Sequence, residues 1–169
     1  PIRTVVITAL AKYDGTRIIF TDTETSNWTW DPVANAYYWH RFFHHQPDLN
    51  FDNPKVHEAM YEALSFWLDM GIDGFRLDAI NFCFHDPLLR DNPAKPPELR
   101  VGRGFSPDNP YAFQYHHYNN TQPENLAFLE RIRALLDAYP DAAALGEISS
   151  EDSLVTMAEY TSGRRLHMG

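Results

Sequence analysis

Two short apolar segments constrain the fold of this chain most strongly, because each follows a helix-like stretch and carries a carboxylate at its end. Residues 74–79 read GFRLDA and residues 142–147 read AAALGE, so that Asp78 and Glu147 close the two segments. Segments this short and apolar are typical of buried strands. Strands that alternate with helices predict a parallel sheet with helical crossovers. The sequence therefore predicts an α/β fold.

Apolar spacing and turn residues predict the other elements. Asn53 before a proline is a typical helix start, Gly71 is a typical helix end, and residues 121–124 (TQPE) match a capping box. Helices are predicted over residues 54–70, 123–138 and 153–160, and further strands over 17–20 and 166–168. The remainder of residues 1–53 is predicted to be loop-like, and residues 82–121 form a long connection without clear periodicity.

Alternation along the first apolar segment separates its side chains by charge. Phe75 and Leu77 point to one face of the predicted strand, and Arg76 and Asp78 point to the other. An arginine beside an aspartate favours the ionised carboxylate. One face is therefore predicted to be buried, while the other presents a charge pair at the carboxyl end of the strand.

Two carboxylates on neighbouring parallel strands suit acid/base and nucleophilic chemistry. Retaining glycosidases hold two carboxyl groups about 5 Å apart, one as nucleophile and one as general acid/base. Burial and a nearby Asp78 would raise the pKa of Glu147, as a general acid requires. The alternative from spacing alone is a structural ion pair between Arg76 and Asp78, with Glu147 merely beginning a loop.

Three motifs in register carry a resemblance to a known family. Residues 74–79 resemble the nucleophile motif of the α-amylase family of glycoside hydrolases. Residues 46–50 (QPDLN), followed by Asn-Pro at 53–54, resemble the segment that closes the loop domain of that family. The Gly-Glu pair at 146–147 resembles its acid/base motif, and the whole resemblance covers residues 17–169.

The resemblance implies roles for individual residues. It implies that Asp78 is the nucleophile, that Arg76 is its charged partner and that Glu147 is the general acid/base. It further implies substrate-binding roles for Asn81, Phe82 and Phe105. The chemistry implied is a covalent β-glucosyl-enzyme formed from an α-glucoside.

The resemblance also implies a division of the chain. Residues 1–53 would be the end of a loop domain inserted in a (β/α)8 TIM barrel, and residues 54–169 would be part of that barrel. A full barrel needs about 250 residues, so the chain holds about two to three of its eight units. The first and last motifs of the family lie outside these residues, and we therefore expect no measurable turnover from the isolated chain.

Two branches of the family are represented. Residues 17–54 resemble trehalose synthase, which isomerises maltose, whereas the chain from Ile80 onward resembles α-glucosidase. The favoured substrate is a small, maltose-like α-glucoside, and the favoured activity is that of an α-glucosidase. The alternatives are a trehalose synthase and a non-catalytic binding module of the same fold, which predicts loss of a catalytic carboxylate.

Charge and hydropathy exclude several partners. The formal net charge of −9 argues against nucleic acid or an anionic membrane surface as a partner. No apolar run approaches the roughly 20 residues of a transmembrane helix. The single cysteine, Cys83, allows no intrachain disulfide, and a cytoplasmic location is predicted.

The histidine pairs and the acidic run do not predict a metal site. The pairs at 44–45 and 116–117 are adjacent in sequence, and neighbouring residues rarely bind one ion together. Residues 48–52 (DLNFD) alternate oxygen ligands but lack the glycine and the bidentate glutamate of a calcium loop. No cofactor is expected to be required, and a structural calcium or monovalent cation site in the full-length parent is left open.

Overall fold

The computed structural model describes residues 6–7, 13–100, 106 and 108–169. The strands are β1 (Val6–Ile7), β2 (Trp28–Asp31), β3 (Ala36–Trp39), β4 (Gly74–Leu77) and β5 (Ala143–Gly146), and the helices are α1 (Pro54–Asp69), α2 (Glu124–Leu136) and α3 (Ser153–Thr161). Short 3₁₀ turns lie at Ile80–Phe82, Pro97–Leu99 and Pro110–Phe113. Within the described ranges, no helix is long and apolar enough to cross a membrane.

The chain folds as two compact units. The first unit comprises the described residues within Pro1–Asn50 and His85–Asn119, and the second comprises Phe51–Phe84 and Asn120–Gly169. The long connection predicted over residues 82–121 thus packs largely with the first unit. The predicted domains, 1–53 and 54–169, have other boundaries and stay a prediction.

The second unit has the predicted parallel α/β order. Strands β4 and β5 are parallel, with Leu77 opposite Gly146, and α2 lies between them in the chain. The strand predicted at residues 166–168 is reduced to an isolated parallel bridge between Leu145 and Met168, where the Gly146 amide donates to the Met168 carbonyl at 2.9 Å. The α/β prediction is therefore confirmed for this unit.

Helix α1 begins and ends as the sequence predicts. The Asn53 side-chain oxygen accepts a hydrogen bond from the Lys55 amide at 3.0 Å, and Pro54 occupies the first turn. Gly71 follows the helix with φ of +91°, a backbone conformation that glycine adopts without a steric penalty.

The capping box predicted for α2 is wrong. Pro123 precedes the helix, and no described side chain caps its first turn. Thr121 instead has φ of +54°, and its hydroxyl accepts a hydrogen bond from the Asn81 side-chain nitrogen at 2.9 Å. The Thr121 side chain is therefore already engaged by another segment of the second unit.

An apolar core holds the second unit together. Phe75 and Leu77 of β4 pack against it, as the alternation along that strand predicts, while Arg76 stays exposed. The buried members of this core are Leu68, Ile80, Phe84, Phe128, Leu129, Ile132, Leu136, Ala144, Tyr160 and Leu166. Burial of each large apolar side chain in this core stabilises the folded unit by roughly 1.5–3 kcal/mol. The core therefore holds β4 and β5 in place.

The first unit contains a sheet that the sequence analysis did not predict. Strands β2 and β3 form an antiparallel hairpin in which Trp28 lies opposite Trp39, and β1 pairs with the other edge of β3. Trp28 and Trp39 are buried and pack with Tyr13. The Asp31 carboxylate accepts from the Val33 amide at 2.9 Å and shapes the turn.

The strand predicted over residues 17–20 is wrong. Ile18 and Ile19 are buried, as an apolar strand would be, but the backbone of this segment is paired with side chains. The Arg17 amide donates to the Gln114 side-chain oxygen at 2.9 Å, and the Ile19 carbonyl accepts from the Asn109 side chain at 2.9 Å. Distant side-chain amides thus replace the partner strand.

Asp48 of the QPDLN motif belongs to a buried ionic cluster in the first unit. Its carboxylate lies 2.6 Å from Arg41 Nε and 3.5 Å from His85 Nε2. Burial and the Arg41 guanidinium both lower the pKa of His85. Both effects favour the neutral imidazole over the charged one, against the opposing effect of Asp48, and a neutral ring nitrogen can accept the hydrogen bond from Arg41 Nη2 at 2.9 Å.

Candidate active site

The ends of β4 and β5 bring Asp78 and Glu147 side by side. Leu77 pairs with Gly146, so the two carboxylates follow directly paired residues on strands that lie about 4.8 Å apart. The Glu147 amide donates to the Leu77 carbonyl at 2.9 Å, and the Ile80 amide donates to the Glu147 carbonyl at 3.2 Å. The backbone of Glu147 is therefore hydrogen-bonded to Leu77, which precedes Asp78, and to Ile80, which follows it by two residues.

One nitrogen of Arg76 joins the two carboxylates. Arg76 Nη2 lies 3.1 Å from Asp78 Oδ1 and also donates a hydrogen bond to Glu147 Oε2. Since each such bond is about 3 Å long, the two bonded oxygens are no more than about 6 Å apart. The three residues predicted to carry the chemistry thus form one cluster.

The electrostatics of the cluster shift the ionisation of Glu147 to higher pH. Its pKa is raised, first by the side-chain hydrogen bond with Asp78, then by removal from water and by the charge of Asp78. The Arg76 guanidinium opposes this shift. A carboxylic acid whose pKa is raised by a second carboxylate keeps its proton to higher pH, and this is the direction that a proton donor requires.

The three side chains remain open to solvent in this chain. Asp78 is 75% exposed, Arg76 is 60% exposed and Glu147 is 52% exposed. The pKa of Glu147 is raised less by its removal from water, the cause named first from the sequence, than by the hydrogen bond with Asp78. Water therefore screens these charges more strongly than it would in a closed catalytic pocket.

Two of the three residues predicted to bind substrate are buried, unlike Asp78 and Glu147. Asn81 and Phe82 lie in the 3₁₀ turn after β4 and are buried, with Asn81 0% exposed. Phe105 lies outside the described residues. Substrate contact by Asn81, Phe82 and Phe105 stays a prediction.

Two residues that support this turn are not among the residues predicted from the sequence. Asn125 is buried in α2, and its side-chain nitrogen donates to the Ile80 carbonyl at 2.8 Å. Ser149, two residues after Glu147, exchanges backbone hydrogen bonds with the Asn81 side chain. Asn125 lies on the same face of α2 as the buried residues Leu129 and Ile132. A polar residue on an apolar helix face indicates a buried hydrogen bond, and this pattern is visible in the sequence.

The part of the chain that the structure describes holds no group of three or more His, Cys, Asp or Glu side chains placed to bind a metal ion. The histidine pairs have other contacts. His44 Nδ1 lies 3.0 Å from Glu24 Oε1, and His116 Nε2 lies 2.8 Å from the Tyr111 carbonyl.

Comparison with known proteins identifies the family of the chain. The family model for the α-amylase catalytic domain matches residues 16–168. A protein of Rhizobium meliloti (strain 1021) named "Probable alpha-glucosidase" is 51% identical over 145 residues, which is 85% of this chain and 26% of that protein. A trehalose synthase of Pimelobacter sp. (strain R48) is 47% identical over 136 residues, which is 80% of this chain and 19% of that protein.

A solved structure agrees with these sequence relatives. The crystal structure of an α-glucosyl transfer enzyme, XgtA, superposes with a TM-score of 0.89 at 59% identity, over 99% of this chain and 31% of that one. The predicted resemblance to the family, including both the α-glucosidase and the trehalose synthase branches, is confirmed. The chain spans 26% or less of the length of the two curated relatives.

Proposed function

The chain belongs to the α-amylase family, whose catalytic domain is of the TIM-barrel type, and from this premise we propose that it supplies the nucleophile and the general acid/base of a retaining α-glucosidase. The proposed substrate is a small, maltose-like α-glucoside. β4 and β5 would be neighbouring barrel strands, and the first unit would include the inserted loop domain. We use the term complete enzyme for a protein that contains this chain within a full catalytic domain.

In the first chemical step the glycosidic bond is exchanged for an ester. Glu147 donates its proton to the glycosidic oxygen while an oxygen of Asp78 attacks the anomeric carbon from the opposite side. The bond between that carbon and the leaving oxygen breaks, the leaving sugar departs as an alcohol, and a β-glucosyl ester of Asp78 forms. The raised pKa of Glu147 supports its role as the proton donor.

In the second step the ester is released with the original anomeric configuration. Glu147, now ionised, takes a proton from water, whose oxygen attacks the anomeric carbon and displaces the Asp78 carboxylate. A sugar hydroxyl in place of water gives transfer instead of hydrolysis. Arg76 holds both carboxylates in place and offsets their combined negative charge.

The observation that carries this proposal is the shared contact of Arg76 with Asp78 and Glu147 at the ends of two parallel strands. A binding module would not need both carboxylates at this position. Trehalose synthase activity is the second candidate, because the relatives at 44–47% identity over most of the chain include several proteins of that name. In that reaction the glucose released from maltose would reorient within the site, and its anomeric hydroxyl would attack the glucosyl ester of Asp78.

Substitution in the complete enzyme tests the assignment of roles. Asp78→Asn and Glu147→Gln should each lower kcat for maltose by about a thousandfold or more, because each removes a group that acts in the transition state. Asp73→Asn is the matched control, since Asp73 is an exposed aspartate at the other end of β4. If Asp78→Asn turned over maltose as fast as the control, the assignment would be wrong.

Product analysis separates the two candidate activities. Glucose as the main product from maltose supports the α-glucosidase. Trehalose as the main product with little glucose would assign the complete enzyme to the second candidate, with the same two carboxylates in the same roles.

A further inference from the structure

The segments that follow the two catalytic strands are joined by one side chain. The Asn81 side-chain nitrogen donates to the Ser149 carbonyl at 2.7 Å, and its side-chain oxygen accepts from the Ser149 amide at 3.3 Å. The Asn81 amide group therefore pairs with both backbone groups of Ser149, much as a neighbouring strand would.

Asn81 is itself held from a third segment. Its side-chain nitrogen also donates to the Thr121 hydroxyl at 2.9 Å, and its carbonyl accepts a hydrogen bond from the Thr121 amide. Asn81 is 0% exposed. Buried amides bonded on every side are held in one orientation, because a lost partner leaves an unsatisfied polar group that costs about 1–3 kcal/mol.

The linkage lies very close to the reacting groups. Asn81 is three residues after Asp78, and Ser149 is two residues after Glu147. Between these points, the Ile80 amide donates to the Glu147 carbonyl at 3.2 Å. A short chain segment fixed at both its strand end and its Asn81 end leaves little freedom for the carboxylate between them.

We propose that Asn81 is a positioning residue that sets the separation of Asp78 and Glu147 by joining the segments after β4 and β5. The proposal rests on the proposed function and adds to it a residue that needs no contact with substrate. An asparagine meets the geometric demand because its side-chain NH2 group donates and its side-chain oxygen accepts at the spacing of a backbone peptide, and the second N–H is free to donate to Thr121. Aspartate lacks the donor, and glutamine is one methylene longer.

Two substrates that differ in their need for a proton donor test this role in the complete enzyme. The leaving group of maltose is an alcohol, glucose, whose oxygen must be protonated by Glu147, whereas the leaving group of α-glucosyl fluoride is a fluoride ion, which needs no proton. Asn81→Ala should lower kcat/KM for maltose about tenfold more than kcat/KM for α-glucosyl fluoride, because a displaced acid slows only the first. The same folded molecules turn over both substrates, so the ratio is independent of how much of the variant folds.

Thr121→Val is the matched control. It removes one hydrogen-bond partner of Asn81 and keeps a β-branched side chain at the positive φ of Thr121, but leaves both bonds to Ser149. Its ratio of the two kcat/KM values should stay within about twofold of that of the unsubstituted enzyme. An unchanged ratio in Asn81→Ala, with both activities lowered equally, would reduce Asn81 to a stabilising residue and overturn the proposal.

A second readout in the chain itself separates failure of this proposal from failure of the proposed function. Asn81→Ala should bring the pKa of Glu147 closer to its ordinary value, because the hydrogen bond with Asp78 weakens when the segments separate. Carboxyl NMR titration measures this without any turnover. If the complete enzyme cleaved neither substrate, the proposed function would fail. If the pKa of Glu147 were the same in Asn81→Ala, the positioning role would fail.

Discussion

Arg76 and Asp78 act in opposite directions on the ionisation of Glu147. The Asp78 carboxylate raises the pKa of Glu147 through a shared hydrogen bond and through its charge, and the Arg76 guanidinium lowers it. Arg76→Met should therefore raise the pKa of Glu147 further, and Asp78→Asn should bring it down towards its ordinary value. Carboxyl NMR titration of the chain measures both shifts.

The signs follow from which form of Glu147 each neighbour favours. A cation favours the carboxylate, so its loss extends the protonated form to higher pH, and an anion favours the acid, so its loss confines the acid to lower pH. Glu151→Gln, on the segment after β5, serves as the control and should shift the titration little. Shifts of the same sign in Arg76→Met and Asp78→Asn would contradict this account of the cluster.

The site was predictable where local sequence signals place a residue, and not where its partners are distant in the sequence. Asp78 and Glu147 could be placed together because each follows a recognisable strand, and parallel strands end at a common edge. The role of Asn81 could not be deduced in the same way. Its partners Ser149 and Thr121 lie 68 and 40 residues away in sequence, and no periodicity records which side chain meets which backbone.

At the scale of elements, Gly74 controls the approach of β4 to β5. It has φ of +148°, and a Cβ at this position would overlap the carbonyl oxygen of Ala143. Gly74→Ala should therefore destabilise the chain by about 3 kcal/mol or more, since both the backbone conformation and the strand pairing would have to change. The midpoint of urea unfolding measures the effect.

Gly71→Ala is the matched control for backbone strain alone. Gly71 also has a positive φ, of +91°, but a Cβ there meets no atom of the described chain within 4 Å. Its substitution should cost about 1–2 kcal/mol, the usual penalty for alanine in the left-handed region. Equal destabilisation by the two substitutions would show that close contact between β4 and β5 is unimportant.

Elements were predictable where local signals and long-range packing agree. Helix α1 has a capping asparagine, helical spacing of apolar residues and a terminal glycine, and its predicted bounds are confirmed to within one residue. The segment at 17–20 has a strand-like composition, but the side chains of Gln114 and Asn109 pair with its backbone. The β2–β3 hairpin lies in the part of residues 1–53 that is predicted to be loop-like, although the Asp-Pro turn at 31–32 was a usable signal.

At the scale of the whole molecule, the two proposed catalytic carboxylates are open to solvent in this chain. Asp78 and Glu147 are more than half exposed, and the chain spans at most 26% of the length of the two curated relatives described above. The isolated chain should therefore release no measurable glucose from maltose, whereas the complete enzyme should. Glucose release at a rate within tenfold of the complete enzyme would show that this chain alone forms a working site.

In the proposed reaction, Asp78 forms the covalent intermediate. Incubation of the complete enzyme with 5-fluoro-α-glucosyl fluoride should trap the glucosyl ester, because the second fluorine slows its hydrolysis. Mass spectrometry of the digested protein should then find one fluoroglucosyl group on the peptide that contains Asp78, and none in Asp78→Asn. An adduct on any other residue, or turnover of maltose with no adduct at all, would contradict the account.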